Sequence, residues 1–535
     1  MAKSKSNKRK TVEYGRYGYY FIAPFFIVFA IFQLWPLVYT LGLAFCENYT
    51  DTMWNVEVGP TFNGLANFST IFVGSDGSLF DTYTFRALGN TLIMWLMNFL
   101  PQILLALLLA VWFTDTRVKI KAQGAYKILV FMPNIITAAT ISVLFYKLFD
   151  YPNGPINQLL VNSGIWEKPY QFLNTKWATR SIISFINFWM WYGNTMIVLT
   201  AGVLGISPSL FEAARVDGAS SWQIFKSVTL PLLRPIMLFS LVNSAIGGLQ
   251  MYDIPKLLTT SGFGDPDYTT RTMTMYIREL AFTGARQMGK ASAVSLVLFV
   301  VTLFFSLVLF YIMRDKDAIR EKKAIKAAQK VRKEKDGGLH ASILIQQVIR
   351  NAICIFLCIL SLIPFWIMIV NATRTSVDIQ SSFSLIPSHY LAENWQKLLY
   401  QASQNVPLWR YMANSLVIAG GSTILAVYFS TMTAYGVTAY KFRGANFAWA
   451  FIMAIMMIPV QVSSIGFFRF MYQIGWGNNY LPLIIPAIAA PATVFFMRQY
   501  MISALPLEIL DSARIDGSGE FRTFNTIAMP LMKPA

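Results

Sequence analysis

Long apolar runs separated by short polar loops dominate the chain from residue 19 onward. Runs near 19–45, 87–113, 125–148, 181–204, 231–255 and 289–313 can each cross a hydrocarbon layer of about 30 Å, which takes roughly 20 helical residues at ~1.5 Å rise. Six spans are predicted there. A polar stretch follows, MRDKDAIREKKAIKAAQKVRKEKDGG, whose Ala, Lys and Glu content favours a solvated helix ended by Gly337 and Gly338. Further apolar runs lie near 344–370, 411–438, 447–471 and 481–503, and another begins around Pro530. The pattern predicts an all-α polytopic membrane protein of two tandem halves, 1–313 and 343–535, joined by a basic linker at 314–342. Each half is expected to hold about six spans, the second being incomplete. A second half that copied the first would run on for about 80 residues past Ala535, the distance from Pro235 to the linker, so a truncated chain is expected.

Composition agrees with this pattern. Hydrophobic residues make up 55% of the 535 residues and charged ones 13%, against about 25% charged in soluble domains. The net charge of +18 would suggest nucleic acid in a soluble protein, but the Lys and Arg residues fall in short segments beside apolar runs and act as topology signals. The basic N-terminus, MAKSKSNKRK, leads into an apolar run longer than the roughly 7 to 15 residues of a secretory signal, so it is expected to stay as a first span. With the N-terminus in the cytoplasm, TDTRVKIKAQ (114–123), the 205–230 segment, the linker and YKFRGA (440–445) all fall inside. The 46–85 loop, with Glu47, Asp51, Glu57, Asp76 and Asp81 and no Lys or Arg, then falls outside. Three cysteines (Cys46, Cys354, Cys358) and two distant histidines (His340, His389) offer no disulfide framework, zinc spacing or catalytic triad.

One segment between spans is too elaborate for a turn. EAARVDGASSWQIFKSVTLPLLRP (212–235) recurs 299 positions later as DSARIDGSGEFRTFNTIAMPLMKP (511–534). Ala513, Arg514, Asp516, Gly517, Phe524, Pro530, Leu531 and Pro534 are retained in register, Asp511 stands for Glu212, and Phe521 stands for Trp222. Ser207 and Pro208 suit a helix start, Gly218 interrupts the run, and Trp222, Phe225 and Val228 make an apolar stripe on a second short helix. An amphipathic connector on the headgroups would need neither a fixed Asp-Gly nor a second copy. A docking surface for a cytosolic partner, presented twice, explains both.

These segments resemble the EAA loop of binding-protein-dependent ABC importer permeases, the second being a weaker copy. FNGLANF (62–68), FMPNIITAATISVLFYKLF (131–149) and LQMYDIPKLLTTSGFG (249–264) look like the first permease subunit of the maltose-type carbohydrate family; RTSVDIQSSFSLIPSHYLAENWQKLL (374–399) and FFMRQYMISALP (495–506) look like the second. The resemblance covers nearly the whole chain and implies a fusion, natural or engineered, of two subunits that the family usually makes separately. It further implies two coupling loops, 207–230 and 505–529, that insert into two cytosolic ATP-binding subunits, with Glu212, Ala213, Ala214, Asp217, Gly218, Asp511, Ala513, Asp516 and Gly517 as the docking residues. ATP and magnesium would bind on those partners, and no cofactor, metal or nucleic acid on this chain. An extracellular or periplasmic solute-binding protein would deliver the sugar to a multi-pass protein of a bacterial cell membrane.

GARQMGKA (284–291) matches a phosphate-loop pattern until Ala291 stands where Ser or Thr would hold magnesium, and no strand precedes it, so the chain is not expected to be an enzyme. Polar residues inside spans are costly and usually line a path or meet a partner helix. Asn134, then Asn187, Trp189, Trp191, Tyr192 and Asn194, then Asn243, Ser244, Gly247, Gly248, Gln250 and Met251 form such a set. Amides can bond sugar hydroxyls and indoles can stack on sugar rings. By resemblance the pocket positions are Asn134, Ala138, Asn187, Met190, Trp191, Asn194, Ser244, Gly248 and Met251. Interhelical glue is the competing role for each of them. Asp253 and Arg498, near span ends, suit snorkelling or an ion pair. An ion-gradient-driven secondary transporter with two internal repeats is the alternative function, opposed by the scarcity of intramembrane carboxylates.

Overall fold

The computed structural model describes residues 14–313 and 339–533, apart from 75, 76, 116, 260, 382, 405, 406, 457 and 459. Most of the expected linker and its solvated helix lie outside the described residues. In chain order the first span is α1 (Gly15–Leu43), followed by the hairpin β1 (Cys46–Asp51) and β2 (Val56–Phe62). Next come α2 (Tyr83–Thr114), the pair α3 (Gln123–Ile135) and α4 (Ala138–Leu148), and α5 (Lys176–Leu204). The first repeat loop follows with α6 (Pro208–Val216) and α7 (Ser221–Arg234), leading into α8 (Ile236–Leu258), which is interrupted at 250–252 before a last short helical piece Asp253–Leu258, then α9 (Met273–Phe282) and α10 (Met288–Met313). The second half has α11 (Leu339–Ala372), α12 (Leu391–Gln404), α13 (Leu408–Ala439), the pair α14 (Ala445–Ile455) and α15 (Val460–Gln473), and α16 (Leu481–Ile502). The second repeat loop supplies α17 (Leu507–Ile515) and α18 (Glu520–Thr523).

All ten predicted apolar runs are helical, and among the described residues seven are single helices long enough to cross a membrane. The other three are broken: α3 and α4 meet at 90°, α7 and α8 at 63°, α14 and α15 at 85°. Proline explains the first break, because Pro133 opens a single 3-10 turn, Met132–Ile135, and no α-helix can run through it unchanged. The 46–85 loop also contains a β-hairpin. Asp51 Oδ1 accepts from the Met53 amide at 2.8 Å and so forms the turn that lets β1 and β2 pair antiparallel.

Two compact units emerge from the packing, and they do not follow the order of the sequence. One comprises Phe45–Gln401 and the other Met1–Ala44 with Ala402–Ala535. Within Phe45–Gln401, α2 and α5 lie together, joined by a buried bond from Gln102 Nε2 to Thr195 Oγ1 at 2.8 Å. A Cβ on Gly193 would stand 2.2 Å from the Val130 carbonyl, so glycine is what lets α5 touch the backbone of α3. The opening span of the second half, α11, packs into this same unit: Tyr192 OH and Ser361 Oγ are 2.9 Å apart, and Arg350 pairs with Asp115 at 2.8 Å. Two buried cations tie the α8–α9 connection to α2 and α5. Arg180 donates to the Thr269 carbonyl at 2.9 Å and to Asn90, and Arg271 pairs with Glu279 beneath Tyr83, Tyr268 and Tyr276.

In the other unit α1 packs along α13. Phe21 and Phe25 are fully buried, and a Cβ on Gly436 would come within 2.9 Å of Phe21. Thr40 turns its hydroxyl to its own helix, donating to the Pro36 carbonyl at 2.8 Å while accepting from the Gly466 amide at 2.9 Å. α1 and α15 therefore meet at a glycine with their polar groups satisfied.

Candidate functional site

The repeat in the sequence is a repeat in backbone, residue for residue. α6 and α17 begin at 208 and 507, the next helices at 221 and 520, and the five-residue π-turns after them at 225 and 524, each pair 299 apart. Each first helix ends in the same left-handed cap. Gly218 and Gly517 both have φ +79°, and their amides donate to the carbonyls of Arg215 (2.9 Å) and Arg514 (3.1 Å). The next amides, Ala219 and Ser518, reach back to Ala214 and Ala513, each at 2.9 Å. This closing pattern satisfies the last carbonyls of the helix and turns the chain sharply, which is why a glycine stands there in both copies.

The docking candidates divide by burial. Glu212 and Ala213 are exposed and Asp217 and Gly218 half-buried, whereas Ala214 is 1% exposed and packs with Ala219, Ile224 and Val228. In the second copy Asp511, Asp516 and Gly517 are exposed and Ala513 is buried. The two buried alanines seat the helix, and the residues around them face outward together with Val216 (79% exposed) and Trp222 (68%). The sequence reading missed a charged cluster under the second loop. Glu520 is buried, accepts from Arg514 Nε at 2.9 Å and Nη2 at 3.2 Å, and accepts from the Tyr440 hydroxyl. Arg514 also pairs with Asp511 at 2.9 Å and lies 4.5 Å over the Tyr14 ring. Burial pulls the Arg514 guanidinium down, but the Glu520 hydrogen bonds outweigh it and hold the group above its ordinary range. Burial pushes the Tyr440 phenol far up, and its bond to Glu520 adds to the rise, so its proton stays on and donates.

The second candidate set lies along α3, α5 and α8. Asn134 Nδ2 donates to the Met190 carbonyl at 3.2 Å, and Asn187 Nδ2 donates to the Ile183 carbonyl at 2.9 Å and reaches Met251 Sδ at 3.7 Å. Those contacts bring Asn134, Met190, Asn187 and Met251 together at the bend after α3 and at the break in α8, where Thr272 Oγ1 holds the Met251 carbonyl at 2.7 Å. Asn194, with no hydrogen-bond partner among the described residues, is half-buried one turn from Met190, and Trp191 is 46% exposed beside it. Ala138 and Ser244 are half-buried on α4 and α8. Gly248 does not open onto a void: a Cβ there would stand 1.9 Å from the Trp95 ring, whose buried Nε1 has no partner among the described residues. Trp95, on α2, escaped the sequence reading because it lies in another span.

Two further sequence features settle into structural roles. Gly289 of GARQMGKA lies against β1, where a Cβ would be 2.2 Å from the Cys46 carbonyl, and the Ala285 carbonyl accepts from the Thr50 amide at 2.7 Å. That segment is a joint between the hairpin and α10. Arg498 lies 4.1 Å over the Trp449 ring, a cation–π contact, while Asp253 is exposed at the start of a short helix.

Comparison with known proteins now decides the class. The model of one family, the binding-protein-dependent transport system inner membrane component, matches residues 90–317 and again 422–535, and each match contains one copy of the repeat loop. The chain belongs to this family. Two matches make it a tandem of two permease components, a multi-pass membrane protein rather than an enzyme. The lactose transport system permease protein LacF of Rhizobium radiobacter is 29% identical over 56% of this chain and 94% of its own length. The trehalose/maltose transport system permease protein MalG of Thermococcus litoralis is 31% identical over 34% of this chain and 64% of its own. The crystal structure of a bacterial ABC transporter involved in the import of the acidic polysaccharide alginate aligns over 55% of this chain and 94% of its own, at 27% identity and TM-score 0.46.

Proposed function

We propose that this chain is the membrane-spanning part of an ATP-driven importer for an oligosaccharide or related polyol. The observation that carries the reading is the pair of helix–glycine–helix loops with matching helix starts and glycine caps, each with a buried seat and an exposed outer face. A motor of two ATP-binding subunits needs two such surfaces, and relatives named for lactose and for trehalose/maltose supply the substrate class. Glu212, Ala213, Asp217 and Gly218 in one loop, and Asp511, Asp516 and Gly517 in the other, are the docking residues, while Ala214 and Ala513 fix the height at which they stand. ATP and magnesium act on those partners. The N-terminus and both loops lie in the cytoplasm, and a solute-binding protein delivers the sugar on the other side.

Inside the membrane, Asn134, Asn187 and Asn194 receive the sugar. The side-chain oxygens of Asn134 and Asn187 have no donor among the described residues, so they are free to accept from hydroxyls. Trp191 offers an exposed ring face for stacking, Met190 and Met251 supply apolar walls, and Ala138, Ser244 and Gly248 set the width. Replacement of Gly218 by proline tests the docking assignment. Proline fixes φ near −65° where this residue has φ +79°, and it removes the amide that bonds Arg215. Uptake and co-purification of the ATP-binding subunit should both be lost; either one persisting at the wild-type level overturns the assignment.

A further inference from the structure

The two repeat loops differ in how they treat one shared arginine. In the second copy Arg514 is saturated, by Glu520, Asp511 and the Tyr14 ring. In the first copy the equivalent Arg215 has its Nε buried with no hydrogen-bond partner, because the position of Glu520 is taken by Ser221. No other chain group compensates: Arg215 makes no hydrogen bond or ion pair among the described residues. A buried guanidinium N–H without an acceptor is costly.

Arg215 borders a recess of about 200 Å³ at the ends of α2 and α5, walled by apolar side chains and open on one side. Arg117 stands exposed at its edge, and Asp115 and Glu212 are the two carboxylates that line it. Asp115 is already neutralised by Arg350 at 2.8 Å, and Glu212 is exposed to solvent. The recess therefore holds two arginines against one uncommitted carboxylate, next to apolar walls at the termini of two membrane-spanning helices. That level is where lipid headgroups lie, and basic pockets between spans there suit anionic headgroups.

We propose that this recess binds the phosphate of an anionic phospholipid headgroup, with Arg215 as the main donor and Arg117 at the rim. The lipid phosphate does for the first loop what Glu520 does for the second: it supplies the anion that ties the arginine, and hence the loop, to the membrane-spanning helices. The recess shares Glu212 with the proposed docking surface, so lipid binding is read on the chain without its ATP-binding subunits.

The test uses the full chain in nanodiscs of phosphatidylcholine, with or without phosphatidylglycerol, reading lipid retained on native mass spectrometry and the thermal unfolding midpoint. Wild-type chain should retain phosphatidylglycerol and unfold at higher temperature in its presence. Arg215→Gln should weaken retention about fivefold, the equivalent of roughly 1 kcal/mol per basic residue at an anionic surface. Ser221→Glu, which supplies the carboxylate internally, should remove the lipid dependence while leaving the chain as stable in phosphatidylcholine as the wild type is in phosphatidylglycerol. Arg514→Gln should lower the midpoint equally in both lipids. The proposal fails if Arg215→Gln retains phosphatidylglycerol as wild type does, or if Ser221→Glu keeps the lipid response. It also fails if soluble glycerol phosphate in phosphatidylcholine discs reproduces the full stabilisation, since the anion would then not be a lipid.

Discussion

Arg514 and Glu520 form the most consequential pair of side chains in the second loop. Glu520 is nearly inaccessible and takes two bonds from Arg514 and one from Tyr440. Removing the Glu520 charge leaves Arg514 with only the exposed Asp511 as counter-ion, so Glu520→Gln should destabilise the chain by up to about 3 kcal/mol in chemical unfolding. The double change with Arg514→Gln should cost clearly less than the two single changes added, because the second substitution removes the orphaned charge; strict additivity would show the pair to be uncoupled. Gly218 and Gly517 make a smaller claim. Alanine at either position has to sit at φ +79°, which costs about 1 kcal/mol apiece and should appear as a lowered unfolding midpoint. The glycines were legible in the sequence because Asp-Gly recurs in register. Glu520 was not, because it replaces a serine in the other copy and meets Tyr440 only through the fold, 80 residues away in sequence.

Among the described residues hydropathy located all ten candidate spans and none of the bends. An apolar window sums transfer free energy and carries no direction, so a helix broken at 90° scores like a straight one. Pro133 was the visible sign at the first break. The hairpin stayed hidden because a strand needs a partner, and the pairing of Cys46 with Phe62 depends on a turn set by one aspartate side chain. Close backbone approaches were equally invisible, since a glycine in a sequence does not say which helix it meets. Gly193→Leu forces a side chain onto the Val130 carbonyl and should destabilise by about 1–3 kcal/mol, whereas Gly89→Leu on α2, with nothing within 4 Å of its Cβ position, should be nearly neutral. Equal unfolding midpoints for the two variants would show that α3 and α5 do not touch at Gly193.

At the scale of the whole molecule, sequence halves and packed units part company. The first span packs with helices of the second half, while α11, which opens the second half, packs with helices of the first. A protease site placed within residues 314–338 should therefore leave two fragments that stay together on a size-exclusion column in mild detergent; separation into free halves would contradict the exchange of first spans. The tandem architecture was readable from one duplicated segment, because Asp-Gly and its flanking residues recur in register 299 positions apart. The proposed sugar positions were readable only as residue types, since their grouping depends on the bend after Pro133 and the break at Met251. The most direct measurement is uptake of a labelled oligosaccharide into proteoliposomes that hold the chain with its ATP-binding subunits, with the solute-binding protein on the opposite side. Accumulation should require ATP on the side of the two loops and should be unaffected by collapsing proton and sodium gradients; accumulation driven by an ion gradient without ATP would contradict the proposed motor.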